Sequence, residues 1–213
     1  MSGSYFYFSV LVPASVLLPI VTAVALYGNL DKPQKVIFFY LIFAGLIDEI
    51  ASQMAFRHIA NLWLLHVYTA VETVLLLWFY RLVLSDKVVG KGIVIAMILF
   101  PLLCAANIIW GQGIMRYNSY TRPLEALMLI FLGIAYFFES SRVASDVKTR
   151  AQRSLSWLNV GMVLYFSVAF FFFIFSNFLK QGMAFSYFIL VCHATFVAIM
   201  YLFFTIGFLK CRN

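Results

Sequence analysis

Glu72 stands in the middle of the apolar run Asn61–Arg81, and Asn61, Leu65, Tyr68 and Glu72 recur at helical spacing with His66 and Thr69 beside them. A carboxyl at that depth in hydrocarbon costs about 2.5 to 3.5 kcal/mol on insertion scales, so a functional role is its first explanation. A second apolar run carries Asp48 and Glu49 in succession, and Glu49, Gln53 and Arg57 follow at intervals of four on one face, where Arg57 is placed to pair with Glu49 through Gln53 or water. A third opens on Asn118, Arg122 and Glu125, one turn apart, while Asn107 and His193 lie in two further runs. Embedded carboxyls that alternate between charged and neutral forms are the chemistry of proton and cation pathways. Asp48, Glu49, Glu72 and Glu125, with His66 as partner, have that composition. Set against this is the bland role of polar groups that simply hydrogen-bond helices together.

These side chains need helices to carry them. With 64% hydrophobic and 11% charged residues in 213, the chain reads as a single polytopic membrane domain, 1–213, with no room for a soluble one. A span needs about 20 apolar residues. Seven stretches qualify, near 7–27, 36–56, 61–81, 92–110, 121–140, 157–178 and 185–208. The fold class is therefore all-α with seven transmembrane helices, and the short links predict hairpins of spans 2 and 3, 4 and 5, 6 and 7, packed with span 1. Pro13 and Pro19 predict a kink or widened turn in span 1. The link GNLDKPQK places Pro33-Gln34 in a loop, and the polar segment from Glu139 to Trp157 reads as a connecting loop. The N-terminal MSGSYFYF lacks Lys and Arg, so the first run is expected to be a retained helix.

Span 2 is marginal on its own: its aliphatic and Phe residues contribute roughly −3 to −7 kcal/mol against roughly +5 to +7 for the two acids. Neighbouring helices or a water-filled cavity must shelter at least one carboxyl.

Eleven Lys and Arg fall on the side of the 1–2, 3–4 and 5–6 links and the C-terminus, and only Arg57, Arg116, Arg122 and Lys180 on the other. The positive-inside rule then predicts a cytoplasmic C-terminus and an outside N-terminus in a multi-pass cell-membrane protein. On that topology Asp48, Glu49, Gln53, His66, Tyr68, Glu72, Asn107, Arg122, Glu125 and Asn177 share the outer half, with His193 near mid-depth. Their convergence predicts a water-filled cavity open to the outside. An internal shift also lays Thr69-Ala70-Val71-Glu72 over Arg122-Pro123-Leu124-Glu125.

Several functions are disfavoured. The +7 charge sits between apolar runs, as topology requires, so nucleic acid is not an expected partner. Cys104, Cys192 and Cys211 have no paired spacing for a disulfide framework or zinc site. No phosphate-cradling glycine loop, GxSxG elbow or kinase signature occurs, and no Lys stands in the body of the last span for a retinal Schiff base. Metal-dependent hydrolysis would draw ligands from His66, His193, Glu49 and Glu72, without any HExxH spacing.

Ser52 and His58 are similar to the Ser and His of membrane ceramidase-type hydrolases, whose two-histidine motif in the last helix is missing here because His193 is followed by Val197. In size and topology the chain resembles the small sugar transporters that pair two three-helix repeats around a linker helix, and Pro33-Gln34 is similar to their Pro-Gln motif. Neither resemblance transfers residues.

The leading expectation is a transporter or permeation protein with an outward-facing acidic and aromatic pocket for protons or a small, cationic solute. A receptor for an extracytoplasmic ligand and a metal-dependent hydrolase are the alternatives. No cofactor is expected, the partners are the lipid bilayer and a small solute or ion, and assembly as a homo-oligomer is left open.

Overall fold

Capping groups and prolines decide where the helices start and stop. The structure, a computed structural model, describes residues 6–142, 149–175 and 183–212. Within them lie seven helices: α1 Val12–Ala25, α2 Lys32–Phe56, α3 Leu62–Val83, α4 Lys87–Gly111, α5 Thr121–Ser141, α6 Arg150–Phe175 and α7 Met183–Leu209. No strand occurs among the described residues. Helices α2 to α7 are each long and apolar enough to cross a membrane, which makes the chain a helical, membrane-embedded protein.

The first helix is shorter than the expected span. Pro13 removes a donor from the ladder, and the preceding turn, Tyr7–Leu11, widens into a π-helix that adjoins α1. A second irregularity falls at Val16, before the regular turns of Leu17–Ala25.

Two expected loops are helical in part. Pro33 lies in the first turn of α2, where its missing N–H costs nothing, so Pro33-Gln34 belongs to a helix. Helix α5 continues through Ser141 and α6 starts at Arg150, several residues before the apolar stretch begins. Hydropathy marks the part of a helix that suits lipid, whereas the backbone ladder continues past it into the polar zone. Asn177, Lys148 and Lys180 lie outside the described residues.

At the other end of α2, the His58 N–H bonds the Ala55 carbonyl and the Ile59 N–H the Met54 carbonyl, closing a Schellman stop with His58 at φ 57°. Helix α4 is capped by Asp86, whose carboxylate accepts from the Val88 and Val89 N–H groups at 2.7 and 2.9 Å.

Helix α3 takes the central position, packing against α2, α4 and α5; α5 packs on α6, α6 on α7, and α7 on α1. The expected pairing of spans 4 and 5 is not among these extensive contacts. The reason is the polar face of α3: Thr69, Glu72, Thr73 and Tyr80 are buried and need cover from several sides. At one end the Tyr80 hydroxyl donates to Asn159 Oδ1 at 2.8 Å, and the Asn159 amide donates to the Gly133 carbonyl at 3.1 Å, tying α3, α5 and α6 together.

Gly133 is the close-approach point of that knot. A Cβ there would run into Val163 and come within 3.0 Å of the Tyr80 hydroxyl. Gly133→Ala is therefore expected to cost about 1–3 kcal/mol through overpacking. Thermal melting of the purified protein in detergent reads this, with Gly92→Ala, whose Cβ meets nothing within 4 Å, as the control. Equal melting of the two variants contradicts the packing argument.

Candidate functional site

Helix α5 opens on a polar knot that sets the direction of Arg122. Asn118 Oδ1 accepts from the Thr121 hydroxyl at 2.7 Å and from the Thr121 N–H at 3.3 Å, so the loop before α5 caps its first turn. The Asn107 amide reaches the same oxygen at 3.4 Å, and the Asn118 amide donates to the Thr69 hydroxyl at 3.4 Å. Gln112 Oε1 accepts from the N–H groups of Ser119 and Tyr120. His66 contacts the carbonyl of Arg116 at 2.9 Å through Nε2, which must carry the proton. Asn107 and His66 are thus structural members of the knot, away from the wall of the cavity described next.

Beyond the knot lies a charged cluster. Glu72, Glu125 and Arg122 are all buried, at 0, 0 and 6% exposure, which makes two carboxyls to one guanidinium. Glu72 Oε1 accepts from the hydroxyls of Tyr68 at 2.8 Å and Tyr40 at 2.9 Å. Glu72 Oε2 and Arg122 Nη2 are 3.9 Å apart, an attraction without a hydrogen bond. Glu125 Oε1 accepts from the Thr73 hydroxyl at 2.6 Å. The guanidinium lies over the Phe173 ring, 4.3 Å from its centroid, and 5.6 Å from that of Tyr68. Three polar atoms in the cluster are buried without a hydrogen-bond partner: Glu72 Oε2, Glu125 Oε2 and Arg122 Nε. Such orphans require an explanation in a folded protein, and a polar ligand site is one.

The cluster backs a cavity of about 440 Å³ at the end of the bundle where α2 passes into α3. Tyr40, Tyr68, Tyr117, Tyr165 and Tyr201 line it, with Arg122, Asp48 and His193 between them. The hydroxyls of Tyr40 and Tyr68 connect its wall to Glu72. Burial pushes the Tyr117 hydroxyl above the ordinary tyrosine range, with the Arg122 guanidinium opposing, so Tyr117 stays neutral at physiological pH. The His193 ring packs 4.4 Å from that of Phe172 and its Nε2 lies 3.4 Å from the Tyr165 hydroxyl.

Not every sequence candidate reaches this place. Glu49 is exposed on the outer surface of α2 and accepts from the Gln53 amide at 2.8 Å, so Glu49 and Gln53 are absent from the cavity wall. Successive helical residues point about 100° apart, which is why Asp48 lines the cavity while its neighbour does not. Of the expected link from Arg57 through Gln53 to Glu49, the Gln53–Glu49 bond is present, and among the described residues Arg57 makes no direct ion pair with Glu49. Ser52 and His58 are exposed at the end of α2 and lie outside the cavity wall. Among the described residues no group of three His, Cys, Asp or Glu side chains gathers as a metal site, so His66, His193, Glu49 and Glu72 do not converge on one ion.

Sequence reasoning missed Tyr40, Thr73, Tyr165 and Tyr201. Tyrosines are expected at membrane interfaces, and the signal was that Tyr40, Tyr165 and Tyr201 fall inside their helices instead.

No protein-family model, curated protein or solved structure matches this chain.

Proposed function

We propose that this protein is a small membrane transporter or permeation protein whose tyrosine-lined, acidic cavity holds a proton or a small organic cation. The observation that carries the reading is the ratio of charges: Arg122 faces Glu72 at 3.9 Å, Glu125 one turn further along α5 is buried as well, and Asp48 stands on the cavity wall. One guanidinium offsets one carboxylate. The remaining negative charge calls for a proton or a bound cation, because an unpaired ion in this setting is costly. Five tyrosine rings around the space suit an ammonium group, which aromatic faces attract.

In this reading α1, extended by its π-helical turn, is a seventh span, and the cavity opens away from the cytoplasm. The Lys and Arg asymmetry of the links supports that orientation. The role first expected of Glu49 passes to Asp48, since only Asp48 lies on the cavity wall.

Reconstituted liposomes test the proposal. Under an inside-negative potential, vesicles holding the full chain are expected to take up tetramethylammonium or protons faster than empty ones, the latter read by an internal pH dye. Saturable tetramethylammonium binding with neither flux would turn the reading to a receptor. Absence of binding and of both fluxes would remove it.

A further inference from the structure

We propose that the solute is an amphiphilic organic cation that reaches the cavity sideways from the bilayer, through the seam between α1 and α2. This rests on the cation-binding reading above and adds the class of ligand and its route.

The seam holds a second space, a groove of about 580 Å³. Its lining runs from Val10 in the π-helical turn to Ile20 on α1, a length of about 15 Å at about 1.5 Å per residue. Val10, Leu17, Ile20, Ile42 and Leu46 make the lining apolar. Pro13, Val16, Gly45 and Asp48 belong to the walls of both the groove and the tyrosine-lined cavity, so the two spaces adjoin.

The packing leaves this seam the looser one. Helix α1 packs chiefly on α7 and more lightly on α2. The turn before α1 is tied to α7 as well, by a 2.7 Å hydrogen bond between the hydroxyls of Tyr7 and Thr195. Gly45 keeps the partition thin: a Cβ there would meet only the side chains of Val16 at 3.7 Å and Ile20 at 4.0 Å, both ordinary van der Waals distances.

Charge chooses the class of amphiphile. The groove lining contains Asp48 and Glu49 and no Lys or Arg, and beyond Asp48 come the tyrosine rings with Glu72 behind them. An alkyl tail along α1 and an ammonium head passing Asp48 would match this sequence of surfaces. An anionic head would have to pass Asp48 and Glu49 in the groove before it reached Arg122 on the cavity wall.

The test uses the full chain in neutral-phospholipid nanodiscs. Saturable binding of radiolabelled dodecyltrimethylammonium and tetramethylammonium is measured, and uptake by empty discs is subtracted. The long-chain cation is expected to bind at least tenfold more tightly. Leu46→Trp, on an exposed part of the groove, is expected to bring the ratio of the two affinities within twofold of unity. Gly45→Met tests the same point from the partition, should the Trp variant not fold. Decyl sulfate is expected not to compete.

A chain-length advantage that survives both substitutions, or no advantage while tetramethylammonium still binds, overturns the lateral route. Competition by decyl sulfate at equal strength overturns the cationic class. Failure of both cations to bind saturably defeats the cation-binding reading itself, a result distinct from the others.

Discussion

Replacing Glu72 with Gln should lower cation flux through the reconstituted protein at least tenfold while the protein stays folded. The substitution keeps the shape of the side chain, and a Gln carbonyl oxygen still accepts the hydroxyls of Tyr40 and Tyr68 that Glu72 Oε1 accepts now. What disappears is one negative charge behind the wall of the cavity. Tenfold corresponds to about 1.4 kcal/mol. Unit charges a few ångströms apart interact by several kcal/mol at an effective dielectric of 20, so the threshold is modest. Asp86→Asn supplies the contrast, since Asp86 caps α4, a role Asn fills as well, and lies outside both the cavity and the groove walls. Its tetramethylammonium flux is expected within twofold of the parent. Flux undiminished in Glu72→Gln, with melting temperature preserved, would end the assignment of that carboxyl.

The largest loss of stability is expected from Arg122→Met. Removing one partner of a buried ion pair typically costs about 3–5 kcal/mol, because the other charge is left stranded. Here the loss strands two carboxyls, Glu72 and Glu125, and takes away the group stacked on Phe173. The cluster's stoichiometry makes a sharper statement. In an isolated pair, neutralising either partner would harm stability alike, whereas with two acids per guanidinium Glu72→Gln leaves one buried carboxyl, Glu125, to one guanidinium. Glu72→Gln should therefore melt close to the parent, Arg122→Met far below it, and the double variant between them. Thermal unfolding in detergent measures all three. Equal losses from the two single substitutions would show that Glu125 carries no part in the balance.

Much of this site was visible along the chain and some of it was not, and the boundary is physical. The stripe of Asn61, Leu65 and Tyr68 on α3 lines the cavity, and Glu72 continues it into the buried cluster, because one helix turn relates these residues wherever the helix packs. Arg122 and Glu125 share a face of α5 for the same reason, whereas Asn118 lies in the loop before that helix and caps it. Tyr40 had no such signal: it reaches Glu72 from a different helix. Thr73 likewise serves Glu125 across the gap between α3 and α5. Asp48 and Glu49 were indistinguishable by composition, and only the rotation of α2 about its axis separates a cavity residue from a surface one.

The sequence by itself determined that this is a helical membrane protein with carboxyls inside its spans, because apolar length and the cost of burying a charge are properties of each segment taken alone. Tertiary structure decided which donors those carboxyls meet, that His66 and Asn107 serve the loop before α5, and that a groove beside α1 adjoins the cavity. Those outcomes depend on how each helix is turned and which neighbours cover it. Such contacts join residues far apart in the chain, and no local pattern encodes them.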